Sequence, residues 1–257
     1  MGISIKTAQE IKDLREGGKI LREALNAAKE KALTSTGQIS TMEVNLAAEQ
    51  VILNRGGKPA FKGYPSDDPN PFPATACVSL NDEIVHGIPS GNRFIKSGDI
   101  VKIDVGVIYK NLFTDAAISV IVGKGSERAR KIVEVTRESL EVGLREIQAG
   151  KHLGDYGNAV DQFALKNGFY AVKGLVGHGV GYAVHEEPQI PNYGRVGTGL
   201  KWREGMVIAL EPMLNEFNCG IKLASDQTTF ITKKGGLSAH FENTVAITKN
   251  GCEVLTR

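Results

Sequence analysis

Apolar residues recur at helical spacing in two segments near the start of the chain. Thr7 and Glu10 have the spacing of a capping box, and apolar side chains then follow three or four positions apart. These apolar positions are Ile11, Leu14, Leu21, Leu25 and Ala28. Ser40 and Glu43 form a second box, before an apolar stripe that ends at Gly56-Gly57. The pattern predicts two capped helices.

The same order of elements returns later in the chain. Ser126 is placed to cap a third apolar stripe, and a fourth stripe ends at Gly168. The apolar positions of these stripes are Ile132, Val133, Leu140, Leu144, Ile147, Ala159, Val160, Phe163 and Ala164. In both parts, short apolar runs typical of strands follow the helices. The sequence therefore predicts two helices and then strands, twice.

Two short motifs also occur once in each part. Val85-His86-Gly87-Ile88-Pro89 is matched by Val184-His185-Glu186-Glu187-Pro188. A glycine is followed six residues later by an acid in the runs 98–104 and 205–211. Chance is the alternative for motifs this short, but their shared order favours a duplication. We predict one α+β domain over residues 1–257, with pseudo-twofold halves at approximately 1–123 and 124–257.

Acidic residues interrupt four of the apolar runs. Asp104 and Asp115 lie in neighbouring runs, and a two-residue turn at Tyr109-Lys110 would place their side chains directly opposite each other. Glu211 and Glu242 present the same anomaly further along the chain. Any one of these acids, taken alone, indicates only a strand end or an edge strand. Taken together, buried carboxylates would repel one another unless a cation lay between them.

His178 adds an imidazole to the four acids. Its run, Gly177 to Gly181, lacks the last glycine of a dinucleotide-binding motif and does not open a helix. No nucleophile elbow, H-E-x-x-H pair or phosphate-binding lysine motif offers a different chemistry. Carboxylates with one imidazole suit divalent transition metals, and hydrolases use paired ions to activate a shared water. The sequence therefore indicates one or two divalent ions.

Composition narrows the choice of partners and compartment. The chain has 31 Lys and Arg against 29 Asp and Glu, a net charge of +2 that does not indicate a nucleic-acid or acidic-lipid partner. No uncharged stretch reaches the ~20 apolar residues that span a bilayer, and the N-terminus lacks the apolar core of a signal peptide. The three cysteines, Cys77, Cys219 and Cys252, show no C-x-x-C spacing. We expect reduced thiols in a cytoplasmic protein without a membrane span.

Five ordered runs resemble the type I methionine aminopeptidases, which remove the initiator methionine from new proteins. The runs are NDEIVHGIP, IVKIDVGVIYKNLFTDAA, GHGVGYAVHEEPQIPNYG, GMVIALEPM and SAHFENTVAIT. The resemblance implies the pita-bread fold, in which antiparallel sheets are backed by helices in both halves. It also implies that the substrate is the N-terminal methionine of nascent polypeptides whose second residue is small.

The resemblance further implies a role for each candidate residue. The implied metal ligands are Asp104, Asp115, His178, Glu211 and Glu242. Asp115 and Glu242 would bridge two divalent ions, which are Co, Mn, Fe or Zn, and Glu211 would accept a proton from the attacking water. The implied substrate contacts are His86, His185, Phe61, Tyr64 and Cys77. Of these, His86 and His185 would hydrogen-bond the peptide group that is cleaved and would not bind metal.

The chain departs from the family pattern at a few positions. Val184 and Thr228 stand where an aromatic residue and a pocket tryptophan are usual, and Asn243 stands where a histidine is common. The loop 65–73 is longer than in the short bacterial form, and its Pro and Asp residues indicate a rim loop over 64–74. We therefore expect thinner pocket walls and unaltered metal binding.

Two alternative functions stay open at this point. A proline-specific aminopeptidase or dipeptidase shares the fold, but such enzymes usually carry a large N-terminal domain for which these motifs leave no room. A pita-bread protein that binds without catalysis is disfavoured because all five ligands are present. Transient ribosome association would follow from the substrate, although no basic tail supports it.

Overall fold

The computed structural model describes residues 2–65 and 69–257. Residues 66–68, within the predicted rim loop, lie outside the described residues. The chain forms helices α1 and α2, then strands β1 to β5, then helices α3 and α4, then strands β6 to β15. The helices are α1 (Ala8–Leu33), α2 (Thr41–Asn54), α3 (Glu127–Leu144) and α4 (Leu153–Lys166).

The predicted helix starts are confirmed, whereas α3 ends at Leu144 and leaves out Ile147, which the apolar stripe assigns to it. Thr7 and Ser40 each accept a bond from the third residue of their helix, at 3.3 Å from the amide nitrogen of Glu10 and of Glu43. Both glutamates bond back to the capping residue, which completes each capping box. Gly168 follows α4 with φ of 76°, the left-handed conformation that a helix end favours and that glycine adopts without strain.

All strand pairs described are antiparallel. The strands are β1 (Lys58–Pro59), β2 (Ala76–Leu80), β3 (Glu83–Val85), β4 (Ile100–Tyr109), β5 (Leu112–Ile121), β6 (Tyr170–Ala171), β7 (Gly177–Gly179), β8 (Glu186–Ile190), β9 (Val207–Leu210), β10 (Met213–Asn215), β11 (Ile221–Leu223), β12 (Phe230–Thr232), β13 (Ser238–His240), β14 (Asn243–Thr248) and β15 (Gly251–Val254). One sheet has the order β1-β4-β2, with β5 also paired to β4, and another has the order β15-β14-β9-β7-β8. Two three-stranded sheets have the orders β13-β10-β6 and β11-β12-β3.

Helices cover one face of the sheet that contains β4. Ile103 and Val105 of β4 pack with Leu21 of α1 and Val44 of α2 in one apolar cluster, in which these side chains are buried. Because side chains alternate along a strand, Asp104 points to the opposite face, away from the helices. A second cluster packs Tyr156 of α4 against β9 and β14. The described helices contain none that is long and apolar enough to cross a membrane.

The predicted register of the β4–β5 hairpin is wrong. The two turn residues are Lys110 and Asn111, with φ of 50° and 64°, so Asp104 pairs with Ala117 and not with Asp115. A two-residue hairpin turn of this kind needs positive φ at both positions, and asparagine tolerates that conformation well. The shift is two residues, so both acids still point to the same face, in diagonal positions.

The two large sheets meet between β5 and the start of β14. The Thr244 hydroxyl donates to the carbonyl oxygen of Asp115 at 2.7 Å and accepts from the Asp115 amide at 2.8 Å. Backbone bonds also join Ala117 and Glu242, with the Glu242 amide donating at 2.9 Å. These contacts bring the acids of β4 and β5 close to Glu242.

Candidate functional site

Three carboxyl groups converge where the large sheets meet. Asp104 and Asp115 lie within β4 and β5, whereas Glu242 lies in the short segment between β13 and β14. All three residues are buried, with at most 9% of their surface exposed. One oxygen of each carboxyl group is buried without a hydrogen-bond partner among the described residues. Three buried carboxylate oxygens are therefore available as ligands for a cation.

His178 and Glu211 complete the group from neighbouring strands. His178 in β7 pairs with Ala209 of β9, and Glu211 directly follows β9. The Nε2 atom of His178 lies 3.5 Å from Oε1 of Glu211, and its Nδ1 atom lies 2.9 Å from the carbonyl oxygen of Gly179. In the neutral ring, an Nδ1–H that donates to Gly179 leaves Nε2 with a free lone pair for a metal.

The donor atoms of this group fit a divalent metal. One ligand atom each of Asp115, His178 and Glu242 lie within 4.8 Å of one another. Buried carboxylate oxygens without partners are costly, and a cation held between them would remove that cost. Oxygen donors with one imidazole match the preferences of divalent transition metals.

Burial shifts the pKa values of the four acids in the same direction. It raises the pKa of Asp104 to about 7. It also raises the pKa values of Asp115, Glu211 and Glu242 well above the ordinary range, and repulsion between neighbouring carboxylates adds to each of these shifts. Without a cation, the site therefore favours protonated acids near neutral pH.

His86 is held in an uncommon backbone conformation at the end of β3. Its φ is 60°, a left-handed value that few residues other than glycine adopt. The hydroxyl of Thr229 donates to the His86 carbonyl oxygen at 3.3 Å, and the next amide, of Gly87, donates to the Ser79 hydroxyl at 3.0 Å. Burial lowers the pKa of His86 to about 4, with a further contribution from His185. The neutral ring can therefore donate one hydrogen bond at neutral pH.

His185 lies beside His178 and is more exposed to solvent than His178. The ring centroids of His178 and His185 are 4.5 Å apart, in an edge-to-face arrangement. The Nδ1 atom of His185 lies 3.0 Å from the hydroxyl oxygen of Tyr64. His185 is exposed. It therefore lies where an incoming substrate would meet the acid cluster.

A small apolar cluster adjoins these histidines. Its buried members are Ala60, Phe61, Cys77 and Val184, and Tyr64, Phe72, Ile108 and Phe113 pack against them. Cys77 pairs with Asp104 across β2 and β4, so the cluster directly borders the acids. Phe61, Tyr64 and Cys77, the three pocket residues named from the sequence, thus lie together.

Residues 12–249 match metallopeptidase family M24. A methionine aminopeptidase of Clostridium perfringens is 43% identical over 254 residues, which cover 99% of this chain and 98% of that protein. The chain belongs to the methionine aminopeptidase family. Methionine aminopeptidase 1 of Bacillus subtilis is 42% identical over 99% of both chains. The crystal structure of methionine aminopeptidase from Thermotoga maritima matches at a TM-score of 0.95, with 39% identity and full coverage of both chains.

Membership of this family establishes the fold class and the class of reaction. The protein is a hydrolase, a metallo-aminopeptidase of the methionine aminopeptidase type, and depends on divalent metal. The fold is the predicted α+β pita-bread fold, which it shares with the prolidase of Pyrococcus horikoshii at a TM-score of 0.77 and 26% identity. That match covers 98% of this chain but only 63% of the prolidase.

Sequence reasoning missed or misjudged several residues near the site. His240 of β13 has Nε2 at 3.6 Å from Glu211 Oε2, and the sequence had assigned it no role. Thr228 lies in a turn, where its amide donates to Asp226, and Phe230 is the aromatic residue of this segment that contacts His86, with centroids 5.7 Å apart. Thr228 precedes β12 and is not part of its alternation, so strand periodicity gives no signal for Phe230.

Lys102 is a further residue that the sequence did not single out. It lies two positions before Asp104 in β4 and is fully buried. Its ammonium group donates to the carbonyl oxygens of Asn81 at 2.9 Å and Ser238 at 3.0 Å. Lys102 thereby ties the β2–β3 turn, which precedes His86, to β13, which leads to Glu242.

Proposed function

We propose that this chain hydrolyses the first peptide bond of nascent polypeptides and releases an N-terminal methionine when the second residue is small. The observation that carries this proposal is that unsatisfied carboxylates and an imidazole lie together beside an apolar cluster. Relatives of closely similar length named methionine aminopeptidase support the choice of substrate.

We assign the metal ligands as Asp104, Asp115, His178, Glu211 and Glu242. Asp115 and Glu242, whose ligand atoms lie within 4.8 Å of each other, would contribute carboxylate oxygens to two divalent ions. Mn, Fe, Co and Zn all suit these donors, and availability selects among them. When bound, such ions lower the pKa of a water molecule and polarise the carbonyl group that is attacked.

The protein groups around the cluster supply the remaining steps. Glu211 is proposed to accept the proton of the attacking water, because its carboxylate lies at the edge of the cluster, between His178 and His240. His185 and His86 are proposed to hydrogen-bond the scissile carbonyl oxygen and the peptide amide, which stabilises the developing oxyanion.

The pocket is proposed to receive the methionine side chain. Phe61, Tyr64 and Cys77 offer an apolar, sulfur- and aromatic-lined surface that suits a long thioether. Val184 contributes a smaller wall than an aromatic residue would, so leucine and norleucine should be rejected weakly. A methylene group in such a pocket is worth only about 1 to 3 kcal/mol.

We also propose that the protein acts in the cytoplasm, where the free thiols of Cys77, Cys219 and Cys252 would stay reduced. The substrate implies transient encounters with ribosomes. The repeated element order supports one domain over residues 1–257, with halves at approximately 1–123 and 124–257.

A panel of peptides tests the proposed function. The metal-loaded protein should release methionine from Met-Gly, Met-Ala and Met-Ser peptides, and should release little from Met-Leu, Met-Lys and Met-Phe peptides. Dialysis against a chelator should abolish release, and added Mn²⁺ or Co²⁺ should restore it. Cleavage before proline in the second position, with indifference to the first residue, would overturn the proposal in favour of a proline-specific enzyme.

A further inference from the structure

The loop that carries His185 is organised around one carboxylate. We define the His185 loop as residues 181–186, which follow β7 and include Glu186, the first residue of β8. Oε1 of Glu186 accepts bonds from the backbone amides of Tyr182, at 2.5 Å, and Ala183, at 3.2 Å. The Gly181 amide donates to the Ala183 carbonyl oxygen at 3.3 Å. The Glu186 side chain therefore closes the loop on itself immediately beside His185.

The second oxygen of this carboxylate faces a buried lysine from the start of the chain. Nζ of Lys6 lies 2.8 Å from Oε2 of Glu186, although the two residues are 180 positions apart. The Lys6 side chain is 1% exposed and that of Glu186 is 13% exposed. The hydroxyl of Ser4 also donates to Oε2, at 2.5 Å. Such a pair is shielded from water and salt far more than a surface ion pair is.

The backbone at Gly181 and Gly205 leaves space for the Lys6 side chain and holds its main chain. The Lys6 amide donates to the carbonyl oxygen of Gly205 at 2.8 Å, which fixes this segment beside the strand that leads to Glu211. Gly181 has φ of 138°, and a Cβ atom there would lie 2.3 Å from Cε of Lys6. The Lys6 ammonium also lies 4.7 Å from the ring centroid of Tyr182. Any residue other than glycine at position 181 would therefore collide with the Lys6 side chain.

We propose that the Lys6–Glu186 ion pair is a positioning device for His185, so that the segment before α1 is a working part of the substrate site. The proposal rests on the substrate role proposed for His185. The Glu186 carboxylate fixes the loop amides, Lys6 balances its charge, and the adjacent His185 is thereby held against His178 and Tyr64. Lys6 acts through the loop and does not touch the substrate.

The central test compares Lys6→Met in two backgrounds. Removal of one partner leaves a buried charge unpaired, and small displacements of catalytic groups are costly, so kcat for a Met-Ala peptide should fall about 10-fold or more. In a His185→Ala background the same change should lower kcat by less than about 2-fold, because the positioned group is already gone. Lys12→Met, an exposed lysine of α1, serves as the matched control and should alter neither background.

Two further measurements separate positioning from general damage. Hydrogen exchange at the Tyr182 and Ala183 amides should accelerate in Lys6→Met and in Glu186→Gln while metal content stays unchanged. The double variant Lys6→Met/Glu186→Gln, which removes both charges, should recover part of the lost kcat. Equal losses in the wild-type and His185→Ala backgrounds, or no loss in either, would overturn the proposal.

The experiments also distinguish a failure of the proposed function from a failure of the positioning proposal. In that case the wild-type protein would release no methionine, although hydrogen exchange would still report whether Lys6 and Glu186 hold the loop. A Lys6→Met variant with unchanged exchange at Tyr182 and Ala183 would overturn the positioning proposal whatever the substrate proves to be.

Discussion

Replacement of Asp104 by asparagine should stabilise the metal-free protein at alkaline pH and weaken the metal-loaded protein. Burial raises the pKa of Asp104 from 3.8 to about 7. Because the folded-state pKa is raised, the contribution of this group to folding is fully present below about pH 4 and is lost as the pH rises through 7. Asparagine occupies nearly the same volume and cannot ionise. It therefore avoids this loss.

The magnitude follows from the two pKa values. Each pKa unit corresponds to about 1.4 kcal/mol, so the ionisation of Asp104 removes about 4 kcal/mol of stability between pH 4 and pH 8. That is a large part of the roughly 5 to 15 kcal/mol by which domains are stable. Loss of the Asp104 charge also removes repulsion on Asp115, which acts in the same direction.

Urea unfolding of chelator-treated protein at pH 4.5 and pH 8 measures this effect. Titrating groups remote from Asp104 are shared by wild type and Asp104→Asn and cancel in the difference between the two proteins. Asp115, Glu211 and Glu242, whose pKa values the Asp104 charge raises, add to that difference in the same direction. Glu187→Gln, which removes an exposed acid, is the matched control. With Mn²⁺ present the order should reverse, because the variant has lost a ligand. A stability difference that is the same at both pH values, or a chelated variant less stable than wild type at pH 8, would refute the reasoning.

Other variants test the roles assigned within the site. His185→Ala should lower kcat by about 100-fold or more with metal content unchanged, whereas Glu242→Ala should lose metal, as metal analysis of the purified variants would show. The opposite pair of results would mean that the two roles are exchanged. Lys102→Met should lower the free energy of unfolding by about 3 kcal/mol, because the carbonyl oxygens of Asn81 and Ser238 lose their buried donor. An unchanged denaturation midpoint would contradict that role for the ammonium group.

Features set by local sequence were predictable. The capping boxes at Thr7 and Ser40 appear where their residue types place them, because both partners lie within one helical turn. Asp104 and Asp115 were recognised because an acid inside an apolar strand is costly without a partner. The two acids lie on the same face of the sheet, as predicted, although the predicted turn position is wrong. The reason is that a shift of two residues in the pairing preserves strand alternation.

Features set by distant pairing were not predictable from one sequence. The turn at Lys110-Asn111 depends on backbone conformations that several neighbouring residue pairs can adopt. In the sequence Lys102 looks like an ordinary strand residue. Its partner, the Ser238 carbonyl oxygen of β13, comes from a distant part of the chain. Lys6 and Glu186 each resemble a surface charge, and only the folded chain brings them together. Such contacts depend on which remote segments meet in the folded chain. The spacing of residues along the sequence carries no information about that.

The junction of the two large sheets has a consequence for the order of events during synthesis. The Asp115 amide bonds to the hydroxyl of Thr244, which lies 129 positions later in the chain. A chain that leaves the ribosome N-terminus first exposes the β4–β5 hairpin, with its two acids, well before β14 exists. Contacts of such long sequence separation carry a large loop-closure cost and slow folding. The proposed ligand Glu242 immediately precedes β14, so the complete set of proposed metal ligands is present only after nearly the whole chain has been synthesised.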